Sequence, residues 1–199
     1  CTATTTVTIN EPIAALDIAV ISNTNANCNV PTARVTVAAT GGTTAYAYAF
    51  VPATTAPAAG DYSSSASANL NPATPIWDVY VRDANGCTDV VQVTITSDPV
   101  PTVTASATGQ CLGSVPYTIT ATNTTTPPSG IITPIRYSIN NGASYQTSNA
   151  FTVTTAGTYT ITMIDGNGCI ATAPAIVVAP QLTLNAVLNK DITCVVGDE

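Results

Sequence analysis

The sequence predicts an all-β chain of tandem antiparallel sandwiches, each about 83 residues long and set end to end. Three observations predict it. Cysteines recur at a fixed period, apolar residues alternate with polar ones over short runs, and the same turn motif closes both complete units. The period comes first, because a repeat of this length fixes the architecture before any single strand is assigned. Cys28 to Cys111 and Cys111 to Cys194 are both 83 residues, while Cys1 to Cys87 is 86 and Cys87 to Cys169 is 82. Neighbouring cysteines alternate between long intervals of 59 and 58 residues and short connectors of 27, 24 and 25.

Taken in order, residues 1–11 (CTATTTVTINE) read as the last strand of a preceding repeat. Residues 12–98 form repeat 1 and residues 99–179 repeat 2, with residues 180–199 opening a following repeat. Each connector runs Cys, strand, Pro, strand, Cys, which places inter-repeat junctions at Pro12, Pro99 and Pro180. Within the repeats, strict alternation marks strands at Val35-Thr-Val37, Tyr46-Ala-Tyr48-Ala-Phe50, Val79-Tyr-Val81 and Val91-Gln-Val93-Thr-Ile95. Repeat 2 repeats the pattern at Tyr117-Thr-Ile119, Phe151-Thr-Val153 and Tyr159-Thr-Ile161-Thr-Met163. Trp77, Val79 and Val81 align with Tyr159, Ile161 and Met163, and Tyr46, Tyr48 and Phe50 align with Ile135, Tyr137 and Ile139. The turns Asp83-Ala-Asn85-Gly86 and Asp165-Gly-Asn167-Gly168 are hairpin signals, since Asn and Gly accept the positive φ that tight turns need. Six or seven short strands in such a unit make an immunoglobulin-like antiparallel β-sandwich the economical fold.

Composition narrows the function. The 199 residues carry 4 Lys+Arg against 11 Asp+Glu and no His, for a net charge of −7. Four cations cannot neutralise a phosphate backbone, so nucleic acid is excluded as a partner, and no apolar run is long enough for membrane insertion. Without His the usual general base and the commonest metal ligand are missing, so no catalytic residue, cofactor or enzyme activity is assigned. Fourteen Pro and twelve Gly break the chain too often for long helices.

The segments GGTTAYAYAF (41–50), CTATTTVTINEP (1–12) and IRYSINNGASYQTSNAFTVTTAGTYTITMIDGNGC (135–169) resemble the repeats of the SprB-type proteins, very large gliding-motility surface adhesins of Bacteroidetes. The most specific element is aromatic-x-V/I-x-V/M-x-D-x-N-G-C, and the resemblance covers essentially the whole chain. Repeat 1 departs from it, with Trp77 where Tyr is usual and Asn71-Pro-Ala-Thr-Pro75 replacing a small Gly-containing turn. The resemblance implies an extracellular fibre on the surface of a Gram-negative bacterium, exported by type IX secretion and moved by the gliding machinery.

Six cysteines with no His and no CxxC pair point to disulfides in an oxidising compartment. Two pairings stay open. One is within the repeats, Cys28 with Cys87 and Cys111 with Cys169. The other crosses the junction, Cys28 with Cys169, because the first strand of a sandwich ends far from the turn that carries the second cysteine. Cys1 and Cys194 pair outside residues 1–199 under either scheme. Asp83 and Asp165, with Asn85 and Asn167 and the junction carboxylates Glu11 and Asp98, are calcium candidates, weighed against Asx turns in which a carboxylate binds its own backbone. The aromatics Trp77, Tyr46, Tyr48, Tyr137 and Tyr159 follow the strand alternation of a core rather than a sugar platform, which argues against glycosidase chemistry. Thr2 to Thr8 and Thr122 to Thr126 suit solvent-facing strand and loop positions. Asn123-Thr-Thr125 also fits the glycosylation pattern, and the loop Asn123 to Gly130 is the largest insertion of repeat 2.

Three functions follow: the shaft of an adhesin filament, a carbohydrate- or cell-binding module, and accessory repeats of a secreted hydrolase. For the shaft, the expected partners are neighbouring repeats of the same chain and other copies in a filament, with surface polysaccharide or a substratum beyond them.

Overall fold

The computed structural model describes residues 1–6, 13–109, 116–127 and 130–180, together with Val187. Cys111, Cys194, Pro12 and Glu11 lie outside the described residues. Among the described residues the named elements are β-strands, with a short 3-10 turn at Ala59–Asp61.

Six strands build the first unit: β1 (Asp17–Thr24), β2 (Ala33–Thr40), β3 (Ala47–Pro52), β4 (Ser67–Leu70), β5 (Ile76–Arg82) and β6 (Thr88–Thr94). They form two antiparallel sheets, β1-β2-β4 and β3-β5-β6. The alternating side chains of both sheets point into one core, with Val35, Val37, Ile18 and Leu70 from the first sheet facing Tyr48, Val79, Val81 and Val93 from the second. Residues between them, such as Thr36 and Gln92, face outward, so the alternation in the sequence and the burial in the sandwich are the same fact.

The second unit repeats this order with shorter strands: β7 (Val103–Thr108), β8 (Tyr117–Asn123), β9 (Arg136–Ser138), β10 (Ala150–Val153), β11 (Gly157–Tyr159), β12 (Thr162–Ile164), β13 (Ile170–Thr172) and β14 (Ile176–Val178). Its sheets are β10-β8-β7 and β13-β12-β9, with β11 paired to β14. The aligned pairs hold in space: Tyr48 opposes Val81 as Tyr137 opposes Met163. The expected continuous strand from Tyr159 to Met163 is instead broken, since β11 and β12 pair with different partners. A second core, centred on Ile119, Ile161, Met163 and Tyr137, lies between these sheets. The chain is therefore all-β, an immunoglobulin-like sandwich arrangement as the sequence predicts.

The aromatics are core or core-edge residues. Tyr48 and Tyr137 are buried, burial raises the Tyr137 phenol above its ordinary pKa, and Trp77 packs against the first core with its indole N–H donated to Thr74 O at 2.6 Å.

Candidate functional site at the repeat junction

The direction of β1 decides where the cysteines fall. At one end, the amide of Ile18 donates to Asp89 Oδ2 at 3.0 Å, so the start of β1 lies level with the start of β6. At the other, the amide of Ala26 donates to Thr96 O at 3.1 Å and the amide of Asp98 donates to Ala26 O at 2.8 Å. The two strands thus run parallel, and Cys28 sits beside the exit to unit 2, whereas Cys87 sits at the opposite end. Ten to twelve residues of strand separate them, on the order of 35 Å. A disulfide needs Cα atoms within about 7 Å, so the within-repeat pairing Cys28 with Cys87 is excluded by the length of the sandwich.

Cys28 is bonded to Cys169 of unit 2, with a Cα separation of 5.8 Å across 141 residues of sequence. This corrects both within-repeat pairings, because Cys169 is no longer available to Cys111. Cys87 and Cys1 carry free, exposed thiols.

Around the bond, the two ends are joined by a polar network. Asn29 Nδ2 donates to Asn167 O at 2.7 Å. Asp98 accepts from both sides, from Asn25 Nδ2 at 2.7 Å through Oδ1 and from Asn167 Nδ2 at 2.8 Å through Oδ2. One carboxylate at the end of unit 1 therefore holds its own far-end loop and the turn of unit 2 together. The far-end loop is itself closed locally, since the amide of Asn27 donates to Val30 O at 2.7 Å and Asn27 Oδ1 accepts from the amides of Asn29 and Val30. Pro99 fills the corner: a Cβ on Gly130 would meet its Cγ at 2.9 Å, so only glycine lets the end of the unit 2 insertion pass so close. Pro180 is exposed at the last described stretch.

The calcium candidates have a different occupation. Asp165 Oδ1 accepts from the amides of Asn167 at 2.9 Å and Cys169 at 2.8 Å. Asp83 Oδ1 accepts from Asn85 at 2.9 Å and Cys87 at 2.8 Å, and its Oδ2 from the amide of Thr43 at 3.0 Å. The Thr43 N–H lowers the Asp83 carboxyl below its ordinary value of 3.8; desolvation opposes it, and the amides of Cys87, Asn85 and Gly86 reinforce it. Both carboxylates are thus Asx-turn acceptors that shape the backbone presenting the cysteine. The glycosylation-pattern residues are also engaged, for Thr125 is 1% exposed and its Oγ1 donates to Asn123 Oδ1 at 2.6 Å.

Sequence reasoning missed Asn25 and Asn29. The available signal was the density of Asn around Cys28, with Asn23, Asn25, Asn27 and Asn29 at every second position, where polar ends would be needed to cap an exposed loop.

The class that fold and site define is a stack of immunoglobulin-like sandwiches joined by an inter-repeat disulfide and an Asp-Asn network. No family model and no curated protein matches the chain. Among solved structures it is similar to the fibronectin(III)-like modules of Clostridium thermocellum CbhA, at 14% identity and a TM-score of 0.36, over 81% of this chain and 94% of that one. It is also similar to the full ectodomain (Ig1–Ig3) of mouse nectin-like molecule 4, at 11% identity and a TM-score of 0.32, over 85% of this chain and 66% of that one. Among the described residues no helix is long and apolar enough to cross a membrane.

Proposed function

We propose that this chain is a length of shaft from an extracellular adhesive filament, and that the filament is a gliding adhesin of the SprB type. The observation that supports the reading is the Cys28–Cys169 bond, which joins successive sandwiches and leaves neither one closed upon itself. A disulfide in that position suits an oxidising, extracellular setting, and its 141-residue span serves continuity between units rather than the fold of either. The residues act mechanically: Cys28 and Cys169 as the covalent link, Asp98, Asn25, Asn29 and Asn167 as the polar seat around it, and Pro99 as the stiff corner. No catalysis is assigned to the shaft.

The test is to attach beads bearing an antibody against residues 12–179 to living source cells and follow them by light microscopy. Beads that travel along the cell establish a motor-driven adhesin. Beads that bind and stay in place leave an adhesive or matrix fibre without motility, and an isolated pair of repeats that binds glycans through one loop replaces the shaft with a binding module.

A further inference from the structure

Cys87 occupies the same turn in unit 1 that Cys169 occupies in unit 2. In both, the Asp amide donates to the Cys carbonyl at 3.0 Å, the Asp Oδ1 accepts from the residues two and four positions on, and the Gly before the Cys has positive φ, +88° at Gly86 and +79° at Gly168. What differs is the cover. Cys169 is 3% exposed beneath Cys28 and Asn29, whereas Cys87 is exposed at the rim of an open cavity of about 420 Å³ lined by Ala14, Ala15, Leu16, Gly42, Asp83 and Thr88. The amide side chains differ in step: Asn167 reaches out to Asp98 of the preceding unit, while Asn85 turns back to Thr43 Oγ1 of its own unit at 2.9 Å.

We propose that the Cys87 end of unit 1 is a docking site for the far end of the repeat before it, closed by a disulfide from that repeat's counterpart of Cys28. The occupant follows from the junction already described: the same turn, carrying the same cysteine, receives an Asn-Cys-Asn loop in unit 2. Two thiols lose two protons and two electrons in forming the bond, and a disulfide oxidant of the glutathione type accepts them and becomes two thiols. Every repeat then carries two cysteines that serve two different junctions, and none bonds within itself. This rests on the shaft reading only in placing a repeat before unit 1.

The experiment uses the 199-residue chain with its Cys28–Cys169 bond intact and, as probe, the heptapeptide Asn-Ala-Asn-Cys-Asn-Val-Pro of residues 25–31. That loop carries its own closing hydrogen bonds, and its cysteine is activated as a mixed disulfide with 2-nitro-5-thiobenzoate. The Cys87 thiolate attacks the peptide sulfur, the aromatic thiolate leaves, and the thiol proton goes to solvent. Cys1, a second exposed thiol, is the internal control, and oxidised glutathione supplies the intrinsic reactivity of each site. Peptide mapping should show capture at Cys87 favoured over Cys1 by about tenfold after that normalisation, because docking raises the local concentration of the two sulfurs. Changing the peptide's second internal Asn, the one after Cys, to Ala should shrink the preference. Equal normalised rates overturn the proposal, and chains that join one another at Cys87 in the absence of peptide overturn the occupant in favour of a second copy. Failure here leaves the Cys28–Cys169 junction untouched, whereas failure of the shaft reading shows in the bead assay.

Discussion

The turns at 83–87 and 165–169 are built alike and live differently. Each hangs its cysteine on one Asp carboxylate and one left-handed Gly, and each is preceded by two fully buried residues at alternate positions, Val79 and Val81 or Ile161 and Met163. Only the second is covered by a neighbour, and there the cysteine is bonded and buried while Asn167 leaves its own unit for Asp98. The turn is thus a seat formed by its own repeat before any neighbour arrives, and the neighbour changes its exposure and side-chain partners rather than its backbone. Local sequence specifies the seat, and the junction specifies its use.

The comparison breaks most severely when the bond is removed. For a closed loop of 141 residues, the chain-entropy model puts the stabilisation at about 5 kcal/mol. Reduction, or Cys28→Ser, should lower the denaturant midpoint of the chain accordingly, and Cys87→Ser should leave it unchanged. Unequal effects of the two serines are the signature of a junction bond; equal small effects would refute it.

A backbone test comes next. A Cβ on Gly166 would lie 2.3 Å from Thr133 O, against backbone that cannot turn aside, whereas the aligned position in unit 1 already carries Ala84. Gly166→Ala should cost about 2 kcal/mol, in the range of overpacked sites, and Ala84→Gly about 0.5 kcal/mol, both read by chemical denaturation. If the two cost the same, the turns differ less in their surroundings than their contacts indicate.

The polar seat is smaller still. Asn29→Ala removes one hydrogen bond to the Asn167 carbonyl and should cost about 1 kcal/mol, measured in the oxidised chain. The same substitution should make the Cys28–Cys169 bond easier to reduce, which a glutathione redox titration reads directly.

The mildest test is pH. The Asp83 carboxyl titrates below 3.8, chiefly because the Thr43 amide binds its charged form, so its contribution is complete above that value and fades as pH falls through the lowered folded value. Acid should therefore loosen the 83–87 turn, seen as lower protection of the Asn85 and Cys87 amides relative to their intrinsic exchange rates, and Asp83→Asn should flatten that dependence. Protection of these amides that stays constant from about pH 5 down to the acid unfolding of the chain would remove the carboxylate from its assigned role.

How far the sequence carried is visible in the same residues. Period, strand alternation and the Tyr48 and Tyr137 correspondence were legible because side chains on a strand alternate faces and a buried face must be apolar. The Asx role of Asp83 and Asp165 was legible because it is settled within five residues. The sequence leaves the disulfide pairing open between two schemes, since it depends on how far β1 carries Cys28 along the sandwich and on the docking of a second unit. Asp98 reads in the sequence only as a junction carboxylate weighed for calcium, because its two Asn partners lie 73 and 69 residues away. The break between β11 and β12 was not legible either, because alternation continues unbroken through Thr160 while the pairing partners change.

The crossing of the disulfide from one sandwich to the next also sets the route by which force travels. Pulled from its two ends, the chain carries load down β1 to Cys28, across the sulfur pair to Cys169, and out along β13 and β14. Residues 29–168 lie off that route, a slack store of up to about 480 Å that reduction alone releases. On that route the 27-residue connector ending at Cys28 and the 25-residue connector starting at Cys169 are the taut segments, while both long intervals and the 24-residue connector between Cys87 and Cys111 are sheltered, so the bond divides the chain into cable and cladding. A string of ordinary sandwiches lengthens under tension by unfolding one at a time; one laced in this way holds its length until a covalent bond gives.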